Sequence, residues 1–284
     1  MIKAYYYLTK PGIIYSNLLT AIGGFFFAAK GNISLSLFFA MVFGLGLVIA
    51  SACVFNNYFD RGIDALMMRT KNRALVKRII HTRGALIYAF VLGVIGFSLL
   101  FFYTNLTAAV TALVGFIFYI FFYTFGKRWT VHGTLIGSIS GAVPPAVGYC
   151  AVTNNFDLTA GILFLILVFW QMPHFYAIAI FRKDDYSQAA IPVLPIKKGL
   201  QQTKEQMSAY ILAFIYISLS LSILHLTGNV YLISMFILGV IWFILSLEGF
   251  ITLDSKKWAR KMFFFSLIMI TIFSLLLIFS SVLP

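Results

Sequence analysis

Asn56, Asp60 and Asp64 stand four residues apart in the stretch NNYFDRGIDALMMRTKNRAL, residues 56–75. On an α-helix each step of four rises about 6 Å and turns by about 40°, so the three side chains share one face. An amide and two carboxylates in register make a stripe of hard oxygen donors. Such donors suit Mg²⁺, which takes one or two carboxylates and completes its shell with water and substrate phosphates. Arg69, Lys71 and Arg73 follow at once, and cations so placed grip phosphate oxygens through charge-assisted hydrogen bonds. The bland alternative is a solvated row of acids paired with Arg61 or Arg69, which carries little energy. It does not account for an amide and two acids in register ahead of a run of cations.

The elements that must position this stripe are membrane helices. Hydrophobic residues make up 61% of the 284 residues and charged residues 10%, against about 25% charged in an average soluble domain. A soluble fold could not cover that apolar surface, so the chain reads as an all-α polytopic membrane protein. A span takes about 20 mostly apolar residues. Runs of that kind cover residues 11–29, 35–57, 85–103, 106–125, 133–151, 159–180, 208–226, 230–250 and 262–282, which predicts nine transmembrane helices around a central cavity. The first run exceeds a signal-peptide core of about 7–15 residues and is read as a helix. The lack of an organelle presequence points to a bacterial inner membrane.

Charge orients the bundle. With the N-terminus in the cytoplasm, the inside connections hold two, seven, two, five and four basic residues in chain order, leaving Lys30 as the one cation outside. That is the positive-inside bias, and it places the C-terminus outside and the oxygen stripe on the cytoplasmic side. The net charge of +13 therefore reflects membrane orientation and attraction of an anionic substrate, and does not argue for nucleic acid. Cys53 and Cys150 lie in apolar runs without metal-ligand spacing and read as buried free thiols.

No soluble domain interrupts the chain, so residues 1–284 read as one integral-membrane domain. The long connections are both on the inside, at 58–84 and 181–207, and loops of that length are where function concentrates. Five of the eight acids lie in or beside them: Asp60, Asp64, Asp184, Asp185 and Glu205. No carboxylate falls at mid-helix, which weakens an ion-coupled transporter reading. A Mg²⁺–diphosphate site at the edge of an apolar interior fits a substrate with a diphosphate head and a long hydrocarbon tail, such as a polyprenyl diphosphate.

Four segments carry a resemblance to a known family: YYYLTKPGIIYSNLLTAIGG, NNYFDRGIDALMMRTKNRAL, GKRWTVHGTLIGSISGAVPPAVGY and FWQMPHFYAIAIFRKDDYSQAAIPVLP. They resemble the UbiA-type intramembrane prenyltransferases, with the Asn-xxx-Asp-xxx-Asp pattern at Asn56, Asp60 and Asp64, and within that family its haem-farnesylating branch. The resemblance implies a Mg²⁺-dependent transfer of farnesyl from farnesyl diphosphate to a vinyl group of haem B, giving haem O. Lys127, Arg128 and Lys183 join Arg69, Lys71 and Arg73 as candidate diphosphate contacts. Asp184 and Asp185 are candidates for a second Mg²⁺, the other reading being a local salt-bridge cluster. Haem A synthase or oxidase assembly proteins are the implied partners beyond the bilayer.

Two positions depart from the branch pattern. Gly62 stands where an acid is common, and Ala74 where proline is common. A glycine costs up to about 1 kcal/mol of helix propensity, so fraying is expected before Asp64. After the sixth span the sequence reads Trp170, Gln171, Met172, Pro173, His174 and Phe175 in place of a second aspartate-rich motif. Pro173 removes a helical hydrogen bond. Trp170, Gln171 and His174 are the haem-side candidates. The imidazole of His174 either ligates iron, hydrogen-bonds a propionate, or is a histidine satisfied within the bundle. Gly137 and Gly141 have small-xxx-small spacing for close helix contact. The competing readings are a prenyltransferase acting on a quinone precursor, which WQMPHF opposes, and a non-catalytic transporter or oxidase assembly factor, which the oxygen stripe opposes.

Overall fold

The computed structural model describes residues 1–280. A short helix, α1 (Ile2–Leu8), leads to α2 (Pro11–Ala29), α3 (Leu35–Asp64) and α4 (Thr82–Tyr103). The fourth span is composite: α5 (Leu106–Ile117), a π-helical turn (Phe118–Tyr123) and α6 (Thr124–Trp129). Then come α7 (Gly133–Thr153), α8 (Leu158–Phe181), the short α9 (Lys183–Gln188) and α10 (Leu194–Lys197), and finally α11 (Gly199–Ile223), α12 (Asn229–Ile251) and α13 (Ser255–Ile278). Nine helices among the described residues are long and apolar enough to cross a membrane, and no strand occurs among them. The all-α, nine-span expectation holds.

Three helices outrun their apolar segments. α3 was expected over 35–57 and continues to Asp64. Its 30 residues correspond to about 45 Å, against a hydrocarbon core of about 30 Å, so the end bearing Asp60 and Asp64 projects beyond the lipid. The expected fraying at Gly62 does not occur. Gly62 is exposed and meets nothing, while Asp60 and Asp64 on either side are tied down by cations, which offsets the glycine. α11 starts at Gly199 and not near 208, and α13 at Ser255 and not near 262, with polar first turns in both. The expected end of the last span at Val282 lies outside the described residues.

α8 is the most enclosed span. It packs between α7, α11 and α13, while α2 lies along α7 and α13 and α3 along α4. Close approach depends on missing side chains. A Cβ on Gly148 would lie 1.9 Å from the carbonyl oxygen of Ala21, and one on Gly24 would lie 2.1 Å from that of Pro145, so α2 and α7 meet backbone to backbone. Gly137 and Gly141 serve differently from the expected helix–helix contact. They make recesses for the Tyr123 ring and the Gln171 amide. The two long inside connections also meet, through a small apolar cluster of Met67, Ala189 and Ile191 flanked by Ile63, Tyr186 and Val193.

Candidate active site

Asn56, Asp60 and Asp64 lie on one face of α3, and all three are at most 5% exposed. Each is met by groups from other elements. Lys10, at the start of α2, donates from Nζ to Asn56 Oδ1 at 2.6 Å, and Asn56 Nδ2 donates to Thr124 Oγ1 at 3.1 Å. Asp60 accepts a close ion-pair hydrogen bond from Lys127 and sits 3.4 Å from Arg128 NH2. Arg73 donates to Asp64 Oδ2 at 2.6 Å and to Asn57 Oδ1 at 3.0 Å. Thr70 Oγ1 caps the Asp64 carbonyl at 2.9 Å.

Local backbone features aim these groups. Lys10 has φ 54°, a left-handed conformation that is unfavourable for a side-chain-bearing residue and more so before proline. Pro11 then opens α2 with φ already set for a helix. Strain of this kind is concentrated at functional sites. Burial pushes the Lys10 ammonium down to about 8. The π turn closes on Thr124, whose hydroxyl donates to the Tyr119 carbonyl five residues back at 2.9 Å. That extra residue rotates Thr124 toward Asn56 and brings Lys127 over the Tyr123 ring, 4.9 Å from its centroid. π turns recur at functional sites for this reason.

Four cations, Lys10, Arg73, Lys127 and Arg128, surround two carboxylates, a surplus of two positive charges. Arg128 Nε is also fully enclosed and has no acceptor among the described residues, an orphan donor of the kind that an anion would satisfy. The donors on α3 are carboxylate and amide oxygens, as Mg²⁺ requires. No group of three or more His, Cys, Asp or Glu among the described residues can enclose a metal, so an ion held here takes part of its shell from substrate. That is how Mg²⁺ binds phosphate esters, and the residues fit it.

The other expected residues are placed less uniformly. Arg69 is exposed, and Lys71 reaches only Met68 Sδ at 3.3 Å. Asp184 is exposed and paired with Lys256 at 2.7 Å; the hydrogen bond from this ammonium, with its charge, holds the Asp184 carboxyl below the usual range. Lys183 and Asp185 are half-buried beside it on α9 without an ion pair among the described residues. The structure thus brings Arg73, Lys127 and Arg128 onto the stripe and leaves Arg69, Lys71, Lys183 and Asp184 off it. Lys10, Asn57 and Thr124 were not singled out from sequence. The one signal for Lys10 was a cation directly before the proline that opens a span.

Trp170, Gln171 and His174 are buried on α8. Gln171 Nε2 donates to the Ser138 and Leu167 carbonyls at 3.0 and 2.9 Å. Trp170 Nε1 donates to the Ser266 carbonyl at 2.8 Å, and His174 Nδ1 meets Ser266 Oγ at 2.7 Å. The two groups of residues are linked through α7, where Tyr123 fills the recess at Gly137 and Gln171 the one at Gly141, a single turn apart.

The profile of the UbiA prenyltransferase family matches residues 17–268. The chain belongs to that family. A protoheme IX farnesyltransferase from Protochlamydia amoebophila is 50% identical over 99% of this chain and 100% of its own length. A protoheme IX farnesyltransferase from Yersinia pseudotuberculosis is 50% identical over 98% of this chain and 94% of its own. Among solved structures, a digeranylgeranylglyceryl phosphate synthase superposes with a TM-score of 0.82 at 21% identity, covering 99% of this chain and 98% of the other. A UbiA homologue from Archaeoglobus fulgidus bound to DMAPP and Mg²⁺ superposes at 0.74 and 15% identity, covering 98% and 99%. These likenesses establish the UbiA fold for the bundle.

Proposed function

We propose that the chain transfers farnesyl from farnesyl diphosphate to a vinyl group of haem B, forming haem O and releasing diphosphate, with Mg²⁺ as the metal. The observation that carries this reading is the buried face of Asn56, Asp60 and Asp64, ringed by cations at one end of an apolar bundle. Relatives at 50% identity over nearly the full length bear the name of that activity, and a structural neighbour binds a prenyl diphosphate with Mg²⁺. The positive-inside bias supports a cytoplasmic position for this end of the bundle, in our reading at a bacterial inner membrane.

In this mechanism Asn56, Asp60 and Asp64 would hold Mg²⁺ through their side-chain oxygens, and the bound ion would supply charge neutralisation to the leaving diphosphate. Lys10, Lys127, Arg73 and Arg128 exchange their present partners for phosphoryl oxygens and fix the leaving group; Arg69, Lys71 and Lys183 supply further positive charge at the rim. Asp184 and Asp185 are the candidates for a second ion on the same diphosphate. Such prearranged charge acts most strongly where water is excluded, and the apolar walls exclude it. The allylic carbon then bonds to the terminal vinyl carbon, water adds to the other one, and a proton leaves. Trp170, Gln171 and His174 form the haem side.

Membranes containing the chain, supplied with haem B and farnesyl diphosphate, form haem O when Mg²⁺ is present and not in EDTA. Asp60→Ala lowers the rate by about 100-fold or more, as loss of a group that stabilises developing charge does. Haem O formation at the wild-type rate in Asp60→Ala would remove this mechanism.

A further inference from the structure

Ser266, on α13, is unmarked in the sequence, yet its hydroxyl contacts the imidazole of His174. Ser266 Oγ lies 2.6 Å from the Phe263 carbonyl oxygen and 2.7 Å from His174 Nδ1. A hydroxyl has one proton. Two oxygens 2.6 Å apart repel unless a proton lies between them, so that proton goes to the Phe263 carbonyl. The contact with His174 is then a hydrogen bond only if Nδ1–H donates to Oγ. A neutral imidazole carries one N–H, so Nε2 is left with a lone pair.

Nε2 has no hydrogen-bond partner among the described residues, and the fully enclosed side-chain nitrogens without one are Arg128 Nε and Trp242 Nε1. Nε2 is therefore not fully enclosed, although His174 as a whole is buried. The ring cannot turn easily. Trp170 stacks on it with centroids 4.8 Å apart, Phe263 lies tilted by 34° at 4.9 Å, and Trp170 is pinned to the Ser266 carbonyl at 2.8 Å. An unpaired imidazole nitrogen within a membrane helix is costly unless a ligand meets it.

We propose that Ser266 is a positioning residue that holds His174 as its Nδ1–H tautomer, so that Nε2 presents a lone pair to an electron-poor centre of the acceptor, the haem iron. This rests on the reading of haem B as acceptor, and it separates the two haem contacts open to His174. A propionate needs an N–H donor at Nε2, whereas iron needs the lone pair.

The test has a part that needs no haem. The full chain has four histidines, so nitrogen-15 imidazole labelling of the purified protein, with His174 assigned through His174→Gln, reads the tautomer directly. The expected result is a protonated Nδ1 and an unprotonated Nε2. A protonated Nε2, as the other tautomer or the imidazolium, overturns the proposal. Titration with ferric haem B then gives an imidazole-bound absorption and EPR signature in wild type and in Ser266→Thr. In Ser266→Ala, affinity is at least about tenfold weaker, the usual cost of losing the partner that orients a metal-binding histidine. Wild-type haem binding in folded Ser266→Ala overturns the positioning role while leaving the acceptor reading intact. If Ser266→Ala does not fold, the wild-type tautomer decides. No haem binding by wild type overturns the acceptor reading itself, and the iron contact with it.

Discussion

At the scale of single residues, Lys10 is the addition that the structure makes to the candidate site. Its ammonium is charged below about 8 and neutral above, whereas a lysine in water keeps its charge to about 10.4. Since kcat/KM reports the free enzyme, its value for the diphosphate donor falls as pH rises through about 8. Lys10→Arg keeps its charge at every working pH, so that limb of the profile moves up or disappears. Loss of activity at the same pH in Lys10→Arg would show that another group titrates. The α3 stripe was legible because a spacing of four is a local property of one helix. Lys10 and Thr124 reach Asn56 from 46 and 68 residues away. No periodicity within a segment encodes such a meeting, and the left-handed turn at Lys10 and the π turn before Thr124 carry no pattern readable in one sequence.

At the scale of elements, the hydropathy pattern located every span, because lipid burial leaves a continuous apolar run. It missed the polar ends of α3, α11 and α13, where a helix continues beyond the lipid and its residues cease to be apolar while its backbone bonds persist. Glycines were legible as small residues but not by role. Gly148 marks the backbone contact between α2 and α7, whereas Gly161 on α8 faces open space. Gly148→Ala forces a Cβ against the Ala21 carbonyl and destabilises by about 1–3 kcal/mol or more, the range of overpacking. Gly161→Ala gains up to about 1 kcal/mol of helix propensity and meets no obstacle. Thermal unfolding in detergent should therefore show a lower Tm for Gly148→Ala and an unchanged or raised one for Gly161→Ala. Equal losses in both would mean that α2 and α7 do not pack as described.

At the scale of the whole molecule, the contacts and the charge count constrain one another. Lys10, Arg73 and the adjacent pair Lys127 and Arg128 come from three separate segments, yet all meet the end of α3, so the turns that bear them lie at one end of the bundle. The loop with Lys30, the outlying cation of the sequence, belongs to the other end, before α3 begins. Moving a cationic loop across the membrane is opposed by the bias that sets orientation, which is the ground for the proposal that the cationic end faces the cytoplasm. This is testable with little background, because both native cysteines are buried. Asn32→Cys, in the turn between α2 and α3, should react with a membrane-impermeant maleimide on intact spheroplasts. Gln188→Cys, an exposed residue at the end of α9, should react only after permeabilisation or in inverted vesicles. The reverse labelling would place the diphosphate site outside the cytoplasmic membrane, away from cytoplasmic supplies of a polyanionic donor that does not cross lipid unaided, and the proposed reaction would lose its substrate.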